Sequence, residues 1–153
     1  MKLPADFRDL LAEFARDAVE YVVIGGYAFG FHVQPRATKY LDALLEGSHE
    51  NLQRAGRALA RYGAPANVVA AVEKLAPDEV AYIGQPPLRI DFLRTIEGVA
   101  TSDVMKSAIP ATWDGVAIRV ISLDDLIANK RAAARPQDLV DVQKLERARG
   151  KRA

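Results

Sequence analysis

A pair of glycines between two apolar runs constrains the fold of this chain more than any other feature of its sequence. Gly25 and Gly26 directly follow residues 21–24, a short β-rich run that predicts a buried strand. They precede residues 27–32, whose pattern predicts a short helix beginning at the glycines. A Gly-Gly step at such a junction lets a phosphate approach the backbone closely, and the helix N-terminus offers N–H donors to an anion. Taken alone, the pair also fits an ordinary turn.

Apolar periodicity and turn residues divide the remaining chain into further helices and strands. The predicted helices span residues 4–19, 51–62, 67–75, 101–106, 123–134 and 136–147, and the predicted strands span residues 40–45, 79–83, 88–93 and 116–121. The fold class that follows is α+β, a mixed sheet flanked by helices with a C-terminal helical pair. A chain of 153 residues fits one such domain with one hydrophobic core.

Composition excludes several classes of protein. The chain has no cysteine, which excludes a disulfide scaffold, a thiolate zinc site and a cysteine nucleophile. Its 21 Lys+Arg and 20 Asp+Glu give a net charge of +1, so it lacks the overall positive charge typical of nucleic-acid-binding proteins. No apolar run approaches the ~20 residues of a membrane span, and the N-terminus has no apolar signal-peptide segment. We therefore expect a cytoplasmic protein without membrane contact.

Two aspartates lie within predicted apolar strands, Asp42 in the run 40–45 and Asp91 in the run 88–93. If these strands are neighbours, the two carboxylates can converge on one divalent cation. Two carboxylates together with nucleotide phosphates form a usual Mg²⁺ shell, and such an ion can neutralise charge on transferring phosphates. Each aspartate taken singly fits an edge or solvent-facing position equally well.

Charged residues also surround the turn between the last two predicted helices. Lys130 lies late in the first helix, and Arg135 lies in the turn. Asp138 and Asp141 share a face of the second helix, because they are three residues apart. Lys130 could reach phosphates while one aspartate holds Lys130 or Arg135 in place. Spacing alone favours a plainer interpretation, in which these are surface pairs worth a few tenths of a kcal/mol each.

Taken together and in this order, these segments resemble the minimal nucleotidyltransferases of the DNA polymerase β superfamily, and the AbiEii-type branch in particular. That family pattern is Gly-Gly or Gly-Ser, a spacer, Asp-x-Asp, and a third acidic residue on a later strand. Here the spacer 27–39, which ends in Ala-Thr-Lys, leads to Tyr40-Leu41-Asp42, and Asp91 fits the third position. The family's C-terminal pattern is matched by Asp125-Leu126-Ile127, Lys130, Arg135, Asp138 and Asp141. The resemblance covers residues 21–145.

The resemblance implies a Mg²⁺-dependent enzyme that transfers a nucleotidyl group from an NTP to a tRNA or protein hydroxyl. It implies that Asp42 and Asp91 hold the metal, and that Asp91 activates the acceptor hydroxyl. The catalytic residues implied are Asp42, Asp91, Lys130, Asp138 and Asp141. The residues implied in NTP binding are Gly25, Gly26, Arg36, Thr38, Lys130 and Arg135. It also implies a cognate partner in a toxin–antitoxin or defence pair.

Tyr40 departs from the family pattern, because it stands where the first Asp of Asp-x-Asp would help to bind both metals. A phenol has a pKa of about 10 and is a poor Mg²⁺ ligand at neutral pH. Either the chain is naturally degenerate, or the tyrosine was introduced into an active enzyme, in which case Tyr40→Asp restores the parental residue. The alternative function is therefore a catalytically dead nucleotide- or partner-binding module. A third interpretation is an α+β domain without a phosphate site. It treats the glycine–aspartate pattern and the C-terminal charged pattern as coincidences.

Overall fold

The structure, a computed structural model, describes residues 2–38, 40–85 and 87–152. Helices and strands follow one another in the order α1 (Ala5–Arg16), β1 (Tyr21–Ile24), α2 (Gly25–His32), β2 (Tyr40–Leu45), α3 (His49–Tyr62), α4 (Ala66–Glu73), β3 (Val80–Gln85), β4 (Leu88–Leu93), α5 (Thr101–Ser107), β5 (Ile109–Trp113), β6 (Val116–Val120), α6 (Leu123–Ala133) and α7 (Pro136–Arg152). Lys39, in the predicted run-up to Tyr40, lies outside the described residues.

The six strands form one mixed sheet in the order β3-β4-β2-β1-β6-β5. Strand β2 runs antiparallel to β1 and parallel to β4, and β1 runs parallel to β6. Apolar side chains of the sheet and of the helices packed on it form a buried core that includes Val22, Leu44, Phe14 and Leu59. Helices α6 and α7 pack on each other. The predicted α+β class, with its mixed sheet and C-terminal helical pair, is confirmed.

Strand β5 was not predicted from the sequence, because Pro110 lies within it. Proline cannot donate a ladder hydrogen bond and is tolerated mainly in edge strands. In the structure β5 is at the edge of the sheet and pairs with β6. Trp113 ends this strand and is 2% exposed.

Two helix ends lie three or more residues from their predicted positions. Helix α1 ends at Arg16 rather than at residue 19, because the chain reverses through Ala18 in the left-handed region at φ +54°. Helix α7 continues to Arg152, five residues beyond the predicted end at 147. Within the part of the chain that is described, no helix has the length and apolar character required to cross a bilayer.

Candidate functional site

The pairing of β2 with β4 brings the two predicted metal ligands together. The strands are parallel and in a register that sets Asp42 opposite Asp91. Residues opposite one another in a sheet project to the same face, so the two carboxylates are direct neighbours. The antiparallel partner of Asp42 on β1 is Ile24, which places the glycine turn next to the pair.

Gly25 is required at this turn for two reasons. Its φ is +68°, a left-handed conformation that favours glycine. A Cβ at this position would also overlap the Oδ2 atom of Asp42. The backbone of the turn is therefore in direct contact with the carboxylate. Gly26 lies against Thr38, whose Oγ1 would be 2.9 Å from an added Cβ.

Asp42 lies in an environment that disfavours its charge. Burial, and then the neighbouring charge of Asp91, raise the pKa of Asp42 to about 6. The positive charges of Arg89, Lys130 and Arg135 offset part of this effect. A cation placed between Asp42 and Asp91 would stabilise the charged form of Asp42.

Tyr40 of β2 is opposite Arg89 of β4. This pair lies two residues before the pair Asp42 and Asp91, on the same face of the sheet. The guanidinium of Arg89 lies 4.0 Å from the ring centroid of Tyr82 and 5.2 Å from that of Tyr40. Its Nε donates a 2.6 Å hydrogen bond to Oδ1 of Asp91. Sequence reasoning gave Arg89 no role, although its position two residues before Asp91 places it on the same strand face.

A cleft of about 800 Å³ opens over the carboxylate pair. One wall is formed by the C-terminal helical pair and contributes Lys130, Arg135 and Asp138. Residues 77–80 and 95–97 form a second part of the lining, which we call the outer wall. The floor carries Gly25, Tyr40, Asp42 and Asp91. Four predicted site residues are outside this lining: Gly26, Arg36, Thr38 and Asp141.

Asp141 is the centre of a buried ion cluster beneath the helical wall. Its carboxylate is 0% exposed and accepts hydrogen bonds of 2.9 and 2.8 Å from the two Nη atoms of Arg36. Lys130 Nζ lies 2.9 Å from its Oδ2, and Gln137 Nε2 donates at 2.9 Å. The plainer interpretation of this region as surface pairs is wrong, because Asp138 and Lys130 are buried as well.

Asp138 belongs to the same ion cluster and also lines the cleft. It accepts a hydrogen bond from Arg135 Nε at 2.7 Å and lies 3.4 Å from Lys130 Nζ. Burial alone would raise the pKa values of Asp138 and Asp141, but the surrounding donors outweigh it and both pKa values are lowered. The donors responsible are Arg135 for Asp138, and Arg36, then Lys130 and Gln137, for Asp141. Both aspartates are therefore charged, and they fix the position of Lys130.

Arg36 and Thr38, predicted to bind the nucleotide, support the site from outside the cleft. Arg36 holds Asp141 and lies 3.9 Å from the ring centroid of Phe29. Thr38 Oγ1 donates a 3.2 Å hydrogen bond to the carbonyl oxygen of Tyr40. Arg36 thus connects the segment before β2 to α7, and Thr38 contacts both the glycine turn and β2.

Comparison with known proteins identifies the fold. No protein-family model matches the chain, and no curated protein matches it. The solution structure of the antibiotic-resistance factor ANT(2'')-Ia matches with a TM-score of 0.58 and 16% sequence identity. The match covers 97% of this chain and 83% of that one. At this identity the likeness shows the fold, which is nucleotidyltransferase-like.

Asp141→Asn should destabilise the protein by about 3–5 kcal/mol, because it removes the anion shared by the buried Lys130 and the half-buried Arg36. Since the folded-state pKa of Asp141 is depressed, its charge stabilises the fold above the unfolded pKa of about 4 and this contribution is lost as the pH falls. Urea unfolding across acidic pH should therefore show a smaller loss of stability in the variant. Asp9→Asn, which alters an exposed pair, is the control and should change stability by less than about 0.5 kcal/mol. Equal effects of the two substitutions would contradict this assignment.

Asp42→Asn should stabilise the ion-free protein at about pH 8 by about 2 kcal/mol. The folded-state pKa of Asp42 is raised, so between about pH 4 and 6 the folded state keeps a proton that the unfolded state has released. Stability therefore falls as the pH rises through this window, and the neutral amide avoids that loss. Urea unfolding in a chelating buffer should show the gain at pH 8 and none at about pH 4. A variant no more stable than the parent at pH 8 would refute this account.

Proposed function

We propose that this chain binds a nucleoside triphosphate with Mg²⁺ in the cleft and transfers its nucleotidyl group to a hydroxyl of an RNA, such as a tRNA, or of a protein. One observation carries the proposal. The β2–β4 register sets Asp42 beside Asp91 at the glycine turn, in the same cleft as Lys130 and Arg135. Ligands for a divalent ion and cations for phosphate therefore meet in one place within a nucleotidyltransferase-like fold.

The two carboxylates fit a magnesium ion whose shell is completed by phosphates. Mg²⁺ is usually held by one or two carboxylates together with substrate phosphates and water. Asp42 and Asp91 supply that number of carboxylates. Among the residues that the structure describes, no group of three or more acidic, histidine or cysteine side chains is arranged to hold a metal alone. When bound, the ion would neutralise charge on the transferring phosphate.

The phosphates would lie between the helical wall and the glycine turn. Lys130 and Arg135, both cationic side chains, line the cleft on one side. On the other side, α2 begins at Gly25 without a side-chain cap, so its first N–H groups are open to an anion. Gly26 supplies the next of these donors.

The remaining predicted residues would act by positioning these groups. Asp138 touches both Lys130 and Arg135 and would keep their charges directed at the phosphates. Asp141 is fully buried and would act only through Lys130. Arg36 would in turn hold Asp141. A residue in this chain of contacts affects nucleotide affinity without touching the nucleotide.

The transfer step would be a displacement at the α-phosphorus. The acceptor oxygen forms a bond to this phosphorus, the bond to the oxygen bridging the β-phosphate breaks, and pyrophosphate leaves. The hydroxyl proton passes to a carboxylate, which by the resemblance is Asp91. Its Oδ1 is already bonded to Arg89, so Oδ2 would receive the proton.

The cellular setting that we propose follows from the same resemblance. The chain would act in the cytoplasm, where NTPs and tRNA are found, as one half of a toxin–antitoxin or defence pair. Its partner would be the cognate protein of that pair.

A nucleotide- or partner-binding module without turnover is the second candidate function. The observation that favours it is Tyr40, which lines the cleft with 38% of its surface exposed where the family pattern has a carboxylate. A neutral phenol there leaves the metal-binding set one ligand short. Such a module would bind an NTP and leave it intact.

Calorimetry with each NTP should detect binding in the presence of Mg²⁺ and much weaker binding in chelator. Arg135→Gln should weaken the affinity about tenfold, because it removes a charge-assisted contact to phosphate. Arg135 is 78% exposed, so the fold should tolerate the change. Arg149→Gln, which removes another exposed arginine paired on α7, is the matched control and should bind normally. No binding of any NTP would refute both candidate functions in their nucleotide-binding form.

Transfer is tested with NTPs labelled at the α-phosphate, incubated with cellular RNA and with cellular protein. We expect label on one of the two acceptors, and at least about 100-fold less label with Asp91→Asn, which removes the proton acceptor. Nuclease and protease treatment of the product distinguishes the RNA from the protein acceptor. NTP binding without any transfer would instead establish the second candidate.

A further inference from the structure

We propose that this cleft uses a single divalent ion with its nucleotide, and that the guanidinium of Arg89 takes the place of a second ion. The inference rests on the proposed nucleotide binding. It adds the number of divalent ions that the site requires. It starts from the pair Tyr40 and Arg89, which lies one register step before the pair Asp42 and Asp91. The family pattern would place a further carboxylate at position 40, directly opposite Arg89.

Three contacts hold the guanidinium of Arg89 in one place. Its Nε is hydrogen-bonded to Asp91 Oδ1 at 2.6 Å. Its Cζ lies 4.0 Å from the ring centroid of Tyr82 and 5.2 Å from that of Tyr40. At these distances a cation is attracted to an aromatic face. The side chain is 28% exposed, so its guanidinium remains accessible to solvent. Tyr40 and Asp91, which it contacts, both line the cleft.

The Nη groups of Arg89 are available to a ligand. A guanidinium carries five N–H donors, and only the one on Nε is engaged. Among the described residues, no acceptor receives a hydrogen bond from either Nη nitrogen of Arg89. Their four N–H bonds are a planar set of donors suited to two oxygens of one phosphate. Arg89 can therefore bind Asp91 and a nucleotide phosphate together.

The charge of the site supports the same assignment. Three carboxylates with two Mg²⁺ ions, the arrangement that the family pattern implies, carry a net charge of one positive unit. Here Asp42, Asp91 and Arg89 together carry one negative unit, and a single Mg²⁺ brings the site to the same net charge. A second ion would meet the fixed charge of Arg89 and the neutral phenol of Tyr40.

The test counts ions rather than turnover. Mn²⁺ replaces Mg²⁺, a non-hydrolysable analogue of the NTP that binds best is held at saturation, and bound Mn²⁺ is measured by equilibrium dialysis and electron paramagnetic resonance. We expect one bound ion per chain and no spin coupling between ions, which two ions about 4 Å apart would produce. Tyr40→Asp should also bind one ion, because Arg89 would pair with the introduced carboxylate. Tyr40→Asp combined with Arg89→Thr should bind two.

A second variant keeps the proposal testable if the double variant fails to fold. Arg89→Gln should weaken binding of the nucleotide analogue about tenfold while leaving one bound ion. Arg54→Gln, which alters an exposed pair on α3, is the matched control and should leave both quantities unchanged. Two bound ions in the parent chain, nucleotide binding with no ion, or normal affinity in Arg89→Gln would each overturn the proposal while leaving nucleotide binding in place. Absence of nucleotide binding in the parent chain would instead overturn the proposed function, and this inference with it.

Discussion

Two carboxylates held side by side on neighbouring parallel strands are the electrostatic constraint around which the site is built. The backbone register of β2 and β4 fixes Asp42 opposite Asp91, so their repulsion cannot be relieved by moving either strand. Every surrounding element contributes positive charge or space to this pair. Strand β4 supplies Arg89, and the helical pair supplies Lys130 and Arg135. The glycine turn supplies a backbone without a Cβ, which lets Asp42 lie against it.

The cations of the helical wall depend on two carboxylates that hold them, Asp138 in the cleft lining and Asp141 beneath it. Lys130 reaches the cleft only because Asp138 and Asp141 hold it there. Asp141 can remain charged while fully buried because Arg36, Lys130 and Gln137 surround it. Burying such a cluster costs desolvation, and its contribution to net stability is correspondingly modest. The cluster does, however, fix the position of Lys130.

Sequence reasoning located the strands and both carboxylates, because apolar runs and turn residues are local signals. It could not give the β2–β4 register, which depends on pairing between distant segments. Strand β5 was missed because Pro110 is unfavourable in a strand except at an edge, and edge position is a property of the whole sheet. The same limit applies to Asp141. Its spacing from Asp138 fits a surface pair, and only the segment carrying Arg36, far away in sequence, makes its burial possible. Arg89 went unnoticed because its neighbours Tyr40 and Tyr82 lie on two other strands.

The two walls of the cleft differ in how they can move. Opening the helical wall would separate Asp141 from Arg36 and expose a carboxylate that has no access to water in the folded state. The outer wall is held by hydrogen bonds that are exposed to solvent, from Thr95 Oγ1 to the Pro77 carbonyl, from the Ala76 N–H to Glu79, and from Asn129 Nδ2 of α6 to the Glu97 carbonyl. Local openings follow the segments with the fewest buried contacts. Opening of the cleft at the outer wall would therefore break exposed hydrogen bonds, whereas opening at the helical wall would break the ion pair of a fully buried carboxylate.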